Sequence, residues 1–187
     1  MQKCVVGLLA LLSPFVAVYA NSDAACRDSS IAMPASTPSN QFTDVSDVAV
    51  IDKKTNLMWA RCTWGYDWDA VNGTCAVGAL GNGASIEWTE ALQKALDTND
   101  GTGTYLNYSD WRVPNVKELA SIVERQCTGL SINNAIFPGT EASEYWTNTH
   151  VAGSVSEIRV VDFNGGVVAN SVSLTSKRLL RLVRDNN

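Results

Sequence analysis

Histidine is almost missing from this chain: His150 is the only one in 187 residues. No CxxC pair occurs either. Without such clusters the common zinc donor sets are excluded, and no metal site is expected. The glycine-rich "VGALGNGAS" has no GK[ST] end and no apolar strand leading into it, so it does not match a phosphate cradle. "DTNDGTGT" offers oxygen atoms but lacks the spacing and the closing glutamate of a calcium hand, and it reads as a solvated turn. No serine lies in a GxSxG context. Positive charge is scarce as well, with 14 Lys and Arg against 19 Asp and Glu. Such a surface does not favour nucleic acid.

Long apolar runs are absent except at the start. There Lys3, the stretch "CVVGLLALLSPFVAV" and the small residues Val18 and Ala20 predict an export signal over residues 1–20, cut after Ala20. Ser13 and Pro14 interrupt the run, which is too short for a comfortable permanent span. Cys4 precedes the apolar run and "SDAAC" lacks the leucine of a lipidated cysteine, so no lipid anchor is expected. The leader takes Lys3 with it. That leaves 13 of the 14 basic residues against 19 acidic ones, a net charge of −6. The expected location is exported, with periplasm, cell surface and medium all open.

Export changes the meaning of cysteine. Cys26, Cys62, Cys75 and Cys127 remain, an even number in an oxidising compartment, with three possible pairings. Cys62–Cys75 is favoured because "TWGYDWDAVNGT" between them reads as a hairpin turning at Asn72-Gly73. Cys26–Cys127 follows as the remainder. No cofactor is implied.

Residues 21–40, rich in Ser, Ala, Pro and Asp, read as a tether that is ordered mainly at Cys26. The β pattern starts after it. "VAVID" and "NLMWAR" flank a turn that Asp52 opens, with Asn56 left-handed. Ser85 is placed to cap a helix whose apolar stripe is Trp88, Ala91, Leu92, Ala95 and Leu96. In "NYSDWRVPNVKEL", Pro114 keeps Val113 out of helical geometry. Asn115 and Glu118 form a capping box for a second helix. Asp110, Trp111 and Arg112 lead into that cap, with Trp111 buried and Arg112 paired to an acid. General acid–base work would need two groups with separated pKa values and a pocket. The stretch therefore reads as a structural joint, not a catalytic set. "YWTNT" is a short strand, and His150 falls in the loop after it. "SEIRVVDF" and "VVANSVSL" form a hairpin about Asn164-Gly165-Gly166, and "RLLRLVR" lies in the central sheet. The fold class is α+β, with two helices between strands at both ends.

These pieces resemble the C-terminal domain family of the bacterial collagen-like adhesin Lcl. The residues that carry the resemblance are "FTD", "VIDKKTNLMWARC", "NGTC", "WTEAL", "DWRVPNVKELASIVE", "IFP", "YWTNT" and "RLVR", across residues 42–184. The resemblance implies one C-type-lectin-like domain over 41–187, with mixed and antiparallel sheets and two helices. Relatives carry a glycine-rich turn after "FTD" where this chain has "VSDVA", and the EPN and WND motifs of calcium-dependent lectins are absent. Calcium-dependent sugar binding is therefore not implied. The adhesin is associated with sulfated glycosaminoglycans. Here the only dense basic run is Lys177, Arg178, Arg181 and Arg184, which a strand would split between two faces.

Trp64, Tyr66 and Trp68 alternate and would share one hairpin face. Trp68 matches the family's tryptophan position, which leaves Trp64 and Tyr66 as candidates to stack on a sugar or anchor a partner. The expectation is a binding domain without catalysis that recognises a surface glycan or protein. The alternatives are a structural subunit of a surface appendage, with homo-oligomer formation, and a periplasmic enzyme.

Overall fold

The structure, a computed structural model, describes residues 34–78, 85–99, 105–127 and 129–187. The expected leader over 1–20, Cys26 and most of the expected tether lie outside the described residues. Both ends of the domain enter one antiparallel sheet. Its strands are β1 (Phe42–Ser46), β2 (Ala49–Asp52), β3 (Leu57–Ala60) and β9 (Val183–Asp185), in the order β1-β2-β3-β9. The β2–β3 turn forms as its residues predict. Asp52 accepts from the Lys54 amide at 2.9 Å and the Thr55 hydroxyl at 2.8 Å, and Asn56 sits at φ 55.

Alternation along these strands feeds two cores. Val50, Leu57, Trp59 and Val183 join one cluster with Leu119, Ile122, Phe137, Tyr145, Val161 and Phe163. Ala49, Met58, Ala60 and Leu182 join the other with Ala91, Ala95, Trp111, Val113, Trp146 and Val160. A sheet covered on both faces explains why "LMWA" is apolar throughout rather than alternating.

A three-stranded antiparallel sheet packs beside it, made of β6 (Glu144–His150), β7 (Glu157–Asp162) and β8 (Val167–Ser173). The chain before β9 ties the two sheets together. Leu179 exchanges backbone bonds with Glu144 and Trp146, while Leu180 and Leu182 accept from Trp64 and Ala60. Only Val183 and Arg184 of the expected "RLLRLVR" strand belong to β9, because residues 178–182 pass between sheets instead of pairing along one.

The hairpin of β4 (Tyr66–Asp69) and β5 (Thr74–Val77) is closed by the Cys62–Cys75 disulfide. Its turn differs in detail from the expected Asn-Gly pair. Four residues lie between Asp69 and Thr74; Asp69 accepts from the Val71 and Asn72 amides, and Gly73 alone adopts the left-handed region, at φ 62. Cys127 is disulfide-bonded, and its expected partner Cys26 lies outside the described residues.

Helix α1 (Trp88–Asp97) starts at Glu87, not at the expected Ser85 cap. Ile86 exchanges both backbone bonds with Arg178, which keeps the chain extended up to that point. Ala91 and Ala95 are buried, whereas Leu96, the last residue of the expected stripe, is 62% exposed. His150 is not in a loop but ends β6, with its ring 5.2 Å from Trp88. Helix α2 (Val116–Ser121) has both arms of the capping box between Asn115 and Glu118. The expected tether is docked over its last residues. Ser36 and Thr37 donate backbone and hydroxyl bonds to the Glu124 carboxylate, and Thr37 is buried.

Candidate binding site

The stretch around Pro114 is built as a network. Trp111 is buried, its indole N–H donates to the Tyr105 carbonyl at 2.7 Å, and its backbone is clamped by the Asn99 amide on both N–H and C=O. Arg112 exchanges backbone bonds with Val183, which fixes its side chain over α2. Its guanidinium grips Glu118 through two bonds, at 2.7 and 3.0 Å, and reaches Asp185 at 2.7 Å. The bond to Glu118 raises the Arg112 pKa, with burial opposing and Asp185 adding. Glu118 also accepts from the Asn115 amide at 2.7 Å, so one carboxylate serves both the cap and the arginine. Asp110 takes two bonds from Arg184, at 2.5 and 3.1 Å, and Arg184 lies 4.2 Å over the Tyr108 ring. Asp110, Trp111, Arg112, Asn115 and Glu118 thus come together through bonds that position backbone and balance charge.

The basic run of the C-terminal segment forms no patch. Arg178 pairs with Glu144, and Arg184 with Asp110. Arg181 is fully buried, a placement the sequence reading missed. It donates to the carbonyls of Ala60 and Arg61 and to the hydroxyls of Thr63 and Thr140, and it lies 4.9 Å over Phe137. Burial pushes its pKa down, which Tyr145 and Tyr105 partly offset. The available signal was its setting, a lone cation inside "LLRLV".

The aromatic residues before and within β4 do not form one stripe. Gly65 between Trp64 and Tyr66 sits at φ 89, which breaks strand alternation. Trp64 is half-buried against the core, with its ring tilted against Tyr105 at 5.4 Å. Tyr66 turns its hydroxyl to Glu141 at 2.7 Å. That bond, then burial and the Glu141 charge, push the Tyr66 pKa up to about 12. Trp68 lies under the Arg61 guanidinium at 5.1 Å, and Arg61 pairs with Asp44. Gly139, at φ 71, lets the "IFPGT" loop pass below the hairpin, where an added Cβ would stand 2.7 Å from the Cys75 carbonyl oxygen.

Beside this hairpin lies a notch of about 60 Å³ lined by Val48, Cys62, Tyr66, Asp67, Trp68, Tyr105 and Leu106. Tyr105 joins it from the loop before Trp111, a contribution not foreseen from sequence. Burial pushes the Tyr105 pKa up to about 12, with Arg181 opposing and Asp67 adding. Both phenols are therefore neutral donors at ordinary pH. A second, more open groove of about 280 Å³ runs between α1 and residues 111–113. Among the described residues no group of three or more His, Cys, Asp or Glu is placed to hold a metal ion. No helix among them is long and apolar enough to cross a membrane.

No curated protein matches the chain. The family model of the Lcl C-terminal domain matches residues 48–184, a span that includes the hairpin, both helices and the arginine-rich C-terminal segment. The match starts after β1, so the docked residues 36–47 lie upstream of it. With most of its length inside that match, the chain belongs to the Lcl C-terminal domain family.

Proposed function

We propose that this protein is an exported, non-catalytic binding domain of C-type-lectin-like fold that recognises a glycan or protein at a cell surface, in the manner of an adhesion module. The observation that carries this reading is the position of the notch. Phe42 pairs with Asp52 and Leu57 with Asp185, so both chain ends leave the main sheet at the β2–β3 turn. Val48 and Cys62 belong to the opposite end of the same strands, where the notch lies. A domain held at one pole presents its aromatic notch at the other. The family and the Cys62–Cys75 disulfide fit an exported surface role. The acids and arginines of the Pro114 joint are engaged with one another, which supports a positioning role over a chemical one.

A glycan array, probed in calcium and then in chelator, tests this reading. The expected result is selective binding that survives chelation and is lost in Tyr66→Ala, whose partly exposed ring can be removed without opening a core. A turnover activity abolished by Asp110→Asn in a folded protein would overturn it. Binding lost in chelator would instead assign a metal-dependent site.

A further inference from the structure

The open groove beside α1 shares no lining residue with the notch. Leu92, Leu96 and Val113 make its walls aliphatic, and its 280 Å³ has room for a leucine-sized side chain. Leu92 is partly buried against the core, whereas Leu96, one turn further on, is 62% exposed. The opposite wall is held from behind. Asn99 clamps the Trp111 backbone, Arg112 exchanges backbone bonds with Val183, and the Asn148 N–H donates to the Pro114 carbonyl. A groove fixed before its ligand arrives spends little ordering entropy on binding.

Two features select the occupant. The first is Asn148, an exposed residue that lines the groove and whose carboxamide has no hydrogen bond to another described residue. A carboxamide carries donors and an acceptor together, so it can hold a peptide N–H and C=O at once. Asn99 does this to Trp111 within the same protein, at 2.9 and 2.6 Å. The second feature is charge. Arg112 at the rim is already gripped by Glu118 and Asp185, and Asp97 follows Leu96 at the end of α1. Lys117 adjoins Glu118 on α2, while Lys94 stands two residues from both Leu92 and Leu96, about 200° round the helix. The three carboxylates thus outnumber Arg112 and Lys117, and the rim favours a positive partner over a negative one. We infer that the groove docks an extended peptide segment of a partner protein. An aliphatic side chain fills the groove, a basic neighbour meets the acidic rim, and the backbone pairs with the Asn148 carboxamide. This docking goes beyond the notch and does not depend on what the notch binds.

The test titrates capped tripeptides into the full chain at constant ionic strength. NMR follows the Asn148 side-chain amide and the Leu92 and Leu96 methyl signals. Acetyl-Lys-Leu-Lys-amide is expected to saturate all of them. Acetyl-Lys-Gly-Lys-amide, which lacks the aliphatic side chain, and acetyl-Glu-Leu-Glu-amide, which reverses the charge, should each bind about tenfold more weakly. Asn148→Ala should weaken the leucine peptide about tenfold, and Leu96→Ala about threefold, at unchanged melting temperatures. No saturation by the leucine peptide overturns the proposal, as does equal or stronger binding of either control peptide. Methyl shifts that grow with protein concentration before any peptide is added would assign the groove to a second copy. Saturation by octyl glucoside that ignores Asn148→Ala would assign it to an acyl chain. Either result overturns the peptide assignment. Glycan binding sensitive to Tyr66→Ala is read separately, so the binding-domain reading stands or falls apart from this one.

Discussion

Glu124 is a single carboxylate that holds a distant segment. It accepts from the backbone N–H groups of Ser36, Thr37 and Gln126 and from both hydroxyls of the Ser36-Thr37 pair. Burial disfavours its charge, but the N–H bonds outweigh burial and hold the carboxyl below its usual range. A depressed folded pKa stabilises the protein above the unfolded value of about 4.3, and the benefit is lost as pH falls through the folded value. Glu124→Gln is therefore expected to cost about 1–3 kcal/mol at pH 7 and much less at pH 3. Urea unfolding at both pH values measures this, and faster hydrogen exchange at the Thr37 amide locates it. Arg181 poses the complementary case, a buried cation spread over four neutral acceptors. A lysine has one nitrogen and cannot span the Ala60 and Arg61 carbonyls and the two threonines together. Arg181→Lys should destabilise by about 2 kcal/mol or more; a melting temperature equal to wild type would refute that account. Neither residue announced its partners in the sequence, because the partners lie far away along the chain, 87 positions for Thr37 and Glu124.

Elements whose causes are local were legible. Pro114, Asn115 and Glu118 lie within five residues, and the cap they form needs nothing from outside. Asn115→Ala should cost about 1 kcal/mol, since one cap bond set is lost. Glu118→Gln should cost more, about 1.5–3 kcal/mol, because the same carboxylate also neutralises Arg112. Equal losses in the two variants would mean that the arginine pair contributes nothing. The disulfide hairpin was legible for the same reason, its cysteines being 13 positions apart. Cys62→Ser/Cys75→Ser is expected to lower stability by about 3 kcal/mol in thermal melts. Where a distant segment decided the outcome, local reading failed. The Arg178 backbone holds Ile86 extended and so moves the α1 start past Ser85. Gly65 turned Trp64 away from Tyr66, and a pattern of alternating aromatics could not reveal that twist. Tyr105 entered the notch from another loop altogether.

At the scale of the whole molecule, the sheet order decides how the domain can be held and what it can present. Because β9 returns beside β3, the C-terminal residues finish against the β2–β3 turn, where Asn186 and Asn56 exchange three bonds. The N-terminal strand enters at that same end, with the Gln41 side chain on Asp52. A surface attached through the C-terminal residue therefore stands on the side away from the notch. The β4–β5 hairpin, by contrast, carries Tyr66, Asp67 and Trp68 of the notch and turns at Val71, which is 93% exposed. A biotin-acceptor peptide appended after Asn187 should leave ligand binding at full capacity when the protein is immobilised on streptavidin. The same peptide inserted between Val71 and Asn72 enters an exposed loop tip, where insertions are tolerated by the fold. Immobilisation through that tip should nonetheless cut binding capacity severely, while the melting temperature stays near that of the C-terminal fusion. Equal capacity in the two orientations would place the ligand on another face, and the open groove beside α1 would become the surface to mutate next.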